Sequence, residues 1–169
     1  MQDRINKVSQ AVQADGRQGK YLTFSLAGEE YGIGILKIRE IIGIMPVTSV
    51  PQTPDFVKGV INLRGRVIPV IDLRQRFGMP AIDYTERTCI IVVQIDLQDM
   101  ILSIGIVVDS VSEVLNISGG DIENAPTFGT QLHTNYILGM AKIEGSVKIL
   151  LDIDRVLTEN EIGSLEKVA

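Results

Sequence analysis

At 169 residues the chain can bury a core as one domain or as two small ones, and its 45% hydrophobic content excludes a disordered protein. A formal net charge of −5 gives no general attraction to nucleic acid or to anionic lipid. The 24 Ile and 17 Val residues outnumber the 14 Leu, and because β-branched residues favour pleated strands, this ratio indicates an all-β fold. One His and one Cys predict no metal site and no internal disulfide, and because Gly32 and Gly34 lack the rest of a dinucleotide-binding or phosphate-binding motif, we expect no cofactor. Since no apolar run approaches a membrane span of about 18 residues, we expect a cytoplasmic protein without membrane insertion.

The first third of the chain predicts a polar tail followed by strands. Residues 1–20 are polar, and the folded part is expected to start at Tyr21. The alternation of apolar and polar residues from there to Leu26 is typical of a half-buried strand. The stretch 36–42 fits either a helix or a strand; as a strand, Ile38 and Glu40 would share one face.

The stretch 56–77 organises the chain. Two β-branched runs flank the polar corner 62–66, which predicts a strand, a tight turn and a second strand. Gly65 can adopt a positive φ in that turn, and Pro69 indicates a sheet edge or a bulge. Asp72 is expected to cap a short helical turn over 73–77.

This hairpin recurs 80 positions later, and a weaker repeat lies upstream. The weaker repeat aligns Gly34 with Gly105 at an offset of 71 and needs a two-residue gap to align Glu40 with Glu113. We therefore predict two related halves, about 21–80 and 81–157, followed by a C-terminal helix over 158–168 with Thr158 or Asn160 as its N-cap. The residues that recur in the hairpins are Gly59, Gly65, Val67 and Asp72, which match Gly139, Gly145, Val147 and Asp152.

Three stretches, 59–74, 30–41 and 105–115, together resemble the CheW family of chemotaxis coupling proteins. The likeness runs from about Lys20 to the C-terminus, in the family's order. It implies two small five-stranded β-barrels, SH3-like or OB-like and internally duplicated, which pack together, exchange some strands and carry short helices. It also implies a non-catalytic adaptor.

The resemblance further implies two protein partners. These are the cytoplasmic tip of methyl-accepting chemoreceptors, whose helical hairpin would lie in a groove between the barrels, and the regulatory domain of the histidine kinase CheA. By position, the resemblance assigns partner binding to Ile38, Glu40, Lys58, Arg64 and Val114. Two of these residues, Ile38 and Val114, could instead be core residues. Turn or structural roles are expected for Gly59, Asn62, Gly65 and Asp72.

Glu40 and Arg64 carry opposite charges inside otherwise apolar stretches, so we expect them to form an ion pair. Two other functions stay open. One is a nucleic-acid-binding barrel that uses the basic cluster Arg64, Arg66, Arg74 and Arg76. The other is a small-molecule sensor with a pocket between the barrels.

Overall fold

The computed structural model describes residues 16–126 and 135–168, and residues 1–15 of the predicted tail and His133 lie outside this range. β-strands dominate the described residues, as the Ile and Val excess predicts. The first strand begins two residues before the predicted boundary, because its backbone pairs with a neighbouring strand irrespective of side-chain polarity. The strands are β1 Gly19–Leu26, β2 Glu29–Gly34, β3 Ile38–Gly43, β4 Val57–Leu63, β5 Arg66–Asp72, β6 Cys89–Asp96, β7 Ile101–Val108, β8 Ser110–Ile117, β9 Ile122–Glu123, β10 Ile137–Ile143 and β11 Ser146–Leu151.

The helices are short and capped as expected. α1 spans Leu73–Arg76, and the Asp72 carboxylate accepts a hydrogen bond from the Gln75 amide. α2 spans Glu159–Val168, and Thr158 and Glu161 form a reciprocal capping box before it. The ambiguous stretch 36–42 contains a 3-10 turn followed by β3. The 3-10 turns are Ile35–Lys37, Gly119–Asp121 and Ile153–Arg155.

The strands form two sheets that mix the two halves of the chain. The β1 sheet has the order β8-β1-β2-β11-β10-β9, and the β6 sheet has the order β3-β6-β7-β5-β4. The N-terminal strands β1 and β2 therefore lie beside strands of the second half. The sheets contain six and five strands where five each were expected. The sixth strand of the β1 sheet is β9, which pairs with β10. The equivalent contact in the β6 sheet is the isolated bridge between Thr48 and Val60.

A central core joins the inner faces of the two sheets. Leu22 and Phe24 of β1 pack there against Ile91 and Val93 of β6, and all four are at most 3% exposed. Each sheet also surrounds a smaller core on its other side, which includes Ile90 in the β6 sheet. The protein thus buries apolar side chains on both faces of its central strands.

The hairpin repeat extends to the pairing register. Ile61 faces Ile68 in the first hairpin, and Ala141 faces Lys148, 80 positions later, in the second. Of the two alternatives predicted for Pro69, the interior position of β5 excludes a sheet edge, and a bulge lies in the paired strand β4, between Val57 and Gly59. Pro69 pairs with β4, while β7 pairs only with the later residues of β5, so the missing amide proton disturbs no described pairing with β7.

The upstream repeat has an offset of 73, not the 71 that the glycine motif suggested. Gly32 faces Leu150 of β11, and Gly105 faces Val70 of β5, the residue 80 positions before Leu150. Gly32 and Gly105 are therefore equivalent. A single offset then aligns β2 with β7 and β3 with β8 without a gap.

Candidate functional site

Glu40 and Arg64 form the predicted ion pair. The Arg64 guanidinium donates to both carboxylate oxygens of Glu40, from Nη1 over 2.8 Å and from Nη2 over 3.0 Å. The Arg64 side chain is 73% exposed and that of Glu40 is 27% exposed. Such a two-point contact orients both side chains more strictly than a single hydrogen bond would.

The turn that carries Arg64 has an unusual backbone. Both Arg64 and Gly65 have positive φ, +52° and +86°, where only Gly65 was expected to. Two successive positive φ values suit a two-residue hairpin turn, since they match the twist of the strands. The Asn62 side chain accepts a hydrogen bond from the Gly65 amide and fixes the corner. Asn62 and Gly65 therefore hold the turn that projects the Arg64 side chain.

A bulge in β3 decides which side chains lie beside Glu40. Ile38 faces Val93, whereas Glu40 already faces Val92, so the two strands slip by one residue between them. Because paired residues point to the same side of a sheet, Ile38 turns towards the central core and Glu40 towards the opposite side. The expectation that Ile38 and Glu40 share one face is therefore wrong.

The ion pair joins the two ends of the β6 sheet. Glu40 lies on β3, one edge strand, and Arg64 follows β4, the other edge strand. Ile42 of β3 and Ile61 of β4 also pack in the same small core. Strands at opposite ends of one sheet can meet only if the sheet curls, which gives it the form of a small barrel.

The corrected repeat identifies Ile41 as the counterpart of Val114 and thus as a candidate residue that sequence reasoning missed. Val114 is 51% exposed on β8, the edge strand of the β1 sheet, and it faces Leu22. Its counterpart 73 positions earlier is Ile41, which is 43% exposed on β3 and faces Ile91. Ile38, by contrast, is half-buried and packs against the central core. Ile41 faces Ile91 and Glu40 faces Val92, so their side chains point to opposite sides of β3 and flank its outer edge. We call Glu40, Ile41 and Arg64, which lie along this edge, the β3 surface.

Lys58 lies at a different place from the β3 surface. It lines an open cavity of about 340 Å³ together with Asp72 and Tyr84. Asp72 is buried at 2% exposure, and one of its carboxylate oxygens accepts a hydrogen bond from the Tyr84 hydroxyl over 3.3 Å. The predicted partner-binding residues are thus not one cluster, and among them the structure joins only Glu40 and Arg64 by a described side-chain hydrogen bond.

The basic cluster considered for nucleic-acid binding is largely engaged within the protein. Arg64 pairs with Glu40, Arg74 Nη1 lies 2.6 Å from Asp109, and Arg76 Nη2 lies 3.1 Å from Glu161. Three of the four arginines are therefore neutralised by nearby carboxylates, which weakens the electrostatic argument for a phosphate-binding surface.

Over residues 16–126 and 135–168, three or more potential ligand side chains of His, Cys, Asp or Glu nowhere converge in a way that could hold a metal ion. Nor does any helix in these ranges have the length and apolar character needed to span a bilayer.

The ion pair should respond to acid. The hydrogen bond from Arg64, together with its charge, holds the pKa of Glu40 below its usual value despite some desolvation. A depressed pKa means that the contribution of the pair is present above the unfolded pKa of about 4.3 and is lost as the pH falls through the folded value. We expect NMR titration to find a low Glu40 pKa in the wild type and a normal one in Arg64→Ala. Equal pKa values in the two proteins would contradict the pairing.

Known proteins resemble the chain over most of its length. The family model described as the CheW-like domain matches residues 20–161. The chemotaxis protein CheW of Klebsiella aerogenes is 42% identical over 150 residues, which cover 89% of this chain and 88% of the relative. That of Rhizobium meliloti is 36% identical and covers 83% and 88%. The crystal structure of the scaffolding protein TtCheW from Thermoanaerobacter tengcongensis matches with a TM-score of 0.74 and 36% identity, covering 85% of this chain and 95% of that one. The chain belongs to the CheW-like family of chemotaxis proteins.

Proposed function

We propose that the chain couples the cytoplasmic tip of methyl-accepting chemoreceptors to the regulatory domain of the histidine kinase CheA, and that it is recruited in this way to receptor arrays at the membrane. As a member of its family it is a non-catalytic scaffold protein of chemotaxis. A scaffold acts by binding, so its function depends on which surfaces it presents.

The observation that carries the proposal is the exposed ion pair on the β3 surface. A solvent-exposed pair contributes little to folding. Arg64 nevertheless occupies a left-handed backbone conformation that disfavours non-glycine residues, and its guanidinium is held at two points. The positive φ recurs at Glu144 in the second hairpin and follows from the turn, whereas the exposed contact at two points, which gives little stability, is better explained by recognition of a partner.

Ile41 supplies the apolar part of this surface. It is 43% exposed on an edge strand beside Glu40. Interfaces commonly combine an apolar centre with an oriented arginine, a residue type enriched among those that dominate binding energy. We assign the β3 surface to the receptor's helical hairpin, which would place an apolar stripe on Ile41 and a polar group on the Glu40–Arg64 pair. Ile38 would support this surface from the core, and Lys58 and Val114 remain candidates for contacts elsewhere.

Arg64→Ala tests the assignment. We expect the affinity for a receptor-tip fragment to fall about tenfold, measured by isothermal titration calorimetry, because an oriented arginine is lost from the interface. The melting temperature should stay nearly unchanged, since the side chain is exposed. Binding of the kinase regulatory domain should also be unchanged.

Arg66→Ala is the matched control, since it removes the same charge from an exposed neighbour two positions away. It should leave receptor affinity within about twofold of the wild type. A fall in thermal stability together with weaker binding of both partners would show that Arg64 is structural. If the wild-type protein bound neither partner at high micromolar concentration, the proposed function itself would be wrong.

A further inference from the structure

The chain crosses between the two sheets at two equivalent places. After β2 it passes from the β1 sheet to the β6 sheet through the 3-10 turn Ile35–Lys37, and after β7 it returns at Asp109. Each crossover leads directly into an edge strand that carries an exposed apolar residue, Ile41 on β3 and Val114 on β8. The crossovers therefore set where the two candidate binding edges begin.

An ion cluster holds the first crossover. The Lys37 ammonium lies 2.9 Å from an Asp96 carboxylate oxygen and 2.8 Å from one of Asp154. Asp154 also accepts a hydrogen bond from the Asp96 amide over 3.1 Å. Burial lowers the pKa of Lys37, but the hydrogen bonds and charges of the two carboxylates outweigh this effect and raise it above its usual value. The cluster ties the crossover to the end of β6 and to the turn after β11.

The second crossover is held by the same arrangement with the charges reversed. Arg74 lies 2.6 Å from the Asp109 carboxylate, which also accepts a hydrogen bond from the Ala27 amide over 2.8 Å. Arg74 precedes Asp154 by the 80 positions that relate the two hairpins. Pairing Lys37 with Arg74, or Asp109 with Asp154, would bring like charges together. The opposite signs of the charges at the two crossovers thus favour the observed ion pairs, in which each half of the chain holds the crossover of the other half.

Apolar packing fixes only the start of the first crossover, where Ile35 is half-buried and packs against the central core. Among the described residues, the turn Ile35–Lys37 buries none of its own side chains and receives no side-chain hydrogen bond at its N-terminus. Leu36 is 96% exposed. Ile35 anchors the start of the turn in the central core, whereas the orientation of its end depends on the ionic contacts of Lys37, and the first residue after it is Ile38 of β3.

We propose that Lys37 is a positioning residue for the β3 surface, which it holds in its binding geometry through Asp96 and Asp154, and that Asp109 positions β8 in the equivalent way through Arg74. The part that concerns binding rests on the proposed receptor contact; the part that concerns the edge strands does not. According to this proposal, loss of the ionic contacts at one crossover loosens only the edge strand that follows it and does not lower the stability of the whole fold. Each edge strand can therefore be tested independently.

Amide hydrogen exchange tests the edge strands. In Lys37→Met, we expect the amides of β3 to exchange about tenfold faster while those of β8 are unchanged, since losing an ordering contact lowers the cost of local opening. In Asp109→Asn the pattern should reverse. Lys37→Arg should restore protection of β3. Lys142→Met, which removes an exposed ion pair with Glu123, is the control and should change neither edge.

Receptor binding tests the functional part. Lys37→Met should lower the affinity for the receptor-tip fragment about fivefold, within the range that residues distant from a ligand can produce. Asp154→Asn should do the same, and the double variant should be no worse than either single one. Asp96→Asn serves as a milder second variant if Lys37→Met folds poorly.

Three results would overturn the proposal. They are unchanged exchange of β3 in Lys37→Met, equal acceleration of both edges, and an affinity loss in Lys37→Met that Asp154→Asn does not share, since the last would make Lys37 a direct contact. If the wild type binds no receptor fragment, the proposed function fails, while the exchange experiment still decides whether the ionic contacts at the crossovers position the edge strands.

Discussion

Replacing Gly59 with alanine is expected to lower the free energy of unfolding by at least about 3 kcal/mol. Gly59 has φ of +139°, a backbone conformation essentially limited to glycine, and a Cβ there would lie 1.9 Å from the Thr48 carbonyl oxygen. Thr48 cannot move aside freely, because it exchanges hydrogen bonds of 2.8 and 2.9 Å with Val60. Urea denaturation followed by circular dichroism would measure the loss as a lower midpoint.

Two other glycines separate the contribution of backbone strain from that of the clash. Gly65→Ala keeps a positive φ of +86°, but among the described residues a Cβ there would meet no heavy atom within 4 Å. We expect it to cost about 1 kcal/mol. Gly43→Ala has neither feature and should be close to neutral. If Gly59→Ala cost no more than Gly65→Ala, the close approach of Thr48 would not be what requires glycine at position 59.

The parts of the fold that were predictable from the sequence are local ones. The hairpin 57–72, the cap at Asp72 and the capping box at Thr158 depend on neighbouring residues, and their residue types specify them directly. The ion pair between Glu40 and Arg64 was also predictable, because two charges inside apolar stretches each need a partner. What joins them in the structure is the curl of the β6 sheet.

The bulge in β3 and the ionic contacts that hold the two crossovers could not be predicted in this way. A bulge adds one residue without any required residue type, yet it reverses the faces of every side chain that follows. These contacts join Lys37 to Asp154 and Arg74 to Asp109. Because the two residues of each pair are distant in sequence, no local pattern marks the contact. Ile41 was accessible in principle, because the repeat at its correct offset of 73 aligns it with Val114.

The two edge strands β3 and β8 differ because the two copies of the repeat carry different charged residues at equivalent positions. The counterparts of Glu40 and Arg64 are Glu113, 73 positions later, and Glu144, 80 positions later. Glu144 retains the positive φ of Arg64, at +49°, so the turn is preserved while its charge is inverted. The second half therefore cannot form the same ion pair. One fold thus presents two related edges with different electrostatics, which fits the proposed coupling of two different partners.

Asp72→Ala is expected to have the second largest effect, a loss of about 2 to 3 kcal/mol in the free energy of unfolding. The Asp72 carboxylate is buried, caps α1 through the Gln75 amide over 3.2 Å and accepts a hydrogen bond from Tyr84. Alanine would remove the cap from the Gln75 amide and the acceptor from the Tyr84 hydroxyl. Asp72→Asn, which keeps an acceptor oxygen for the cap, should cost less.

The same substitution should change the titration of Tyr84. Burial raises the pKa of Tyr84, and the charge of Asp72 and its hydrogen bond raise it further, to about 12. A raised folded pKa means that the contribution of Tyr84 to stability is complete below the unfolded value of about 10 and is lost as the pH rises towards about 12. In Asp72→Ala, NMR of the tyrosine rings should show the pKa of Tyr84 lowered but still above 10, since burial persists. An unchanged value would mean that Asp72 and Tyr84 do not interact, and the stability loss would then have to come from the cap alone.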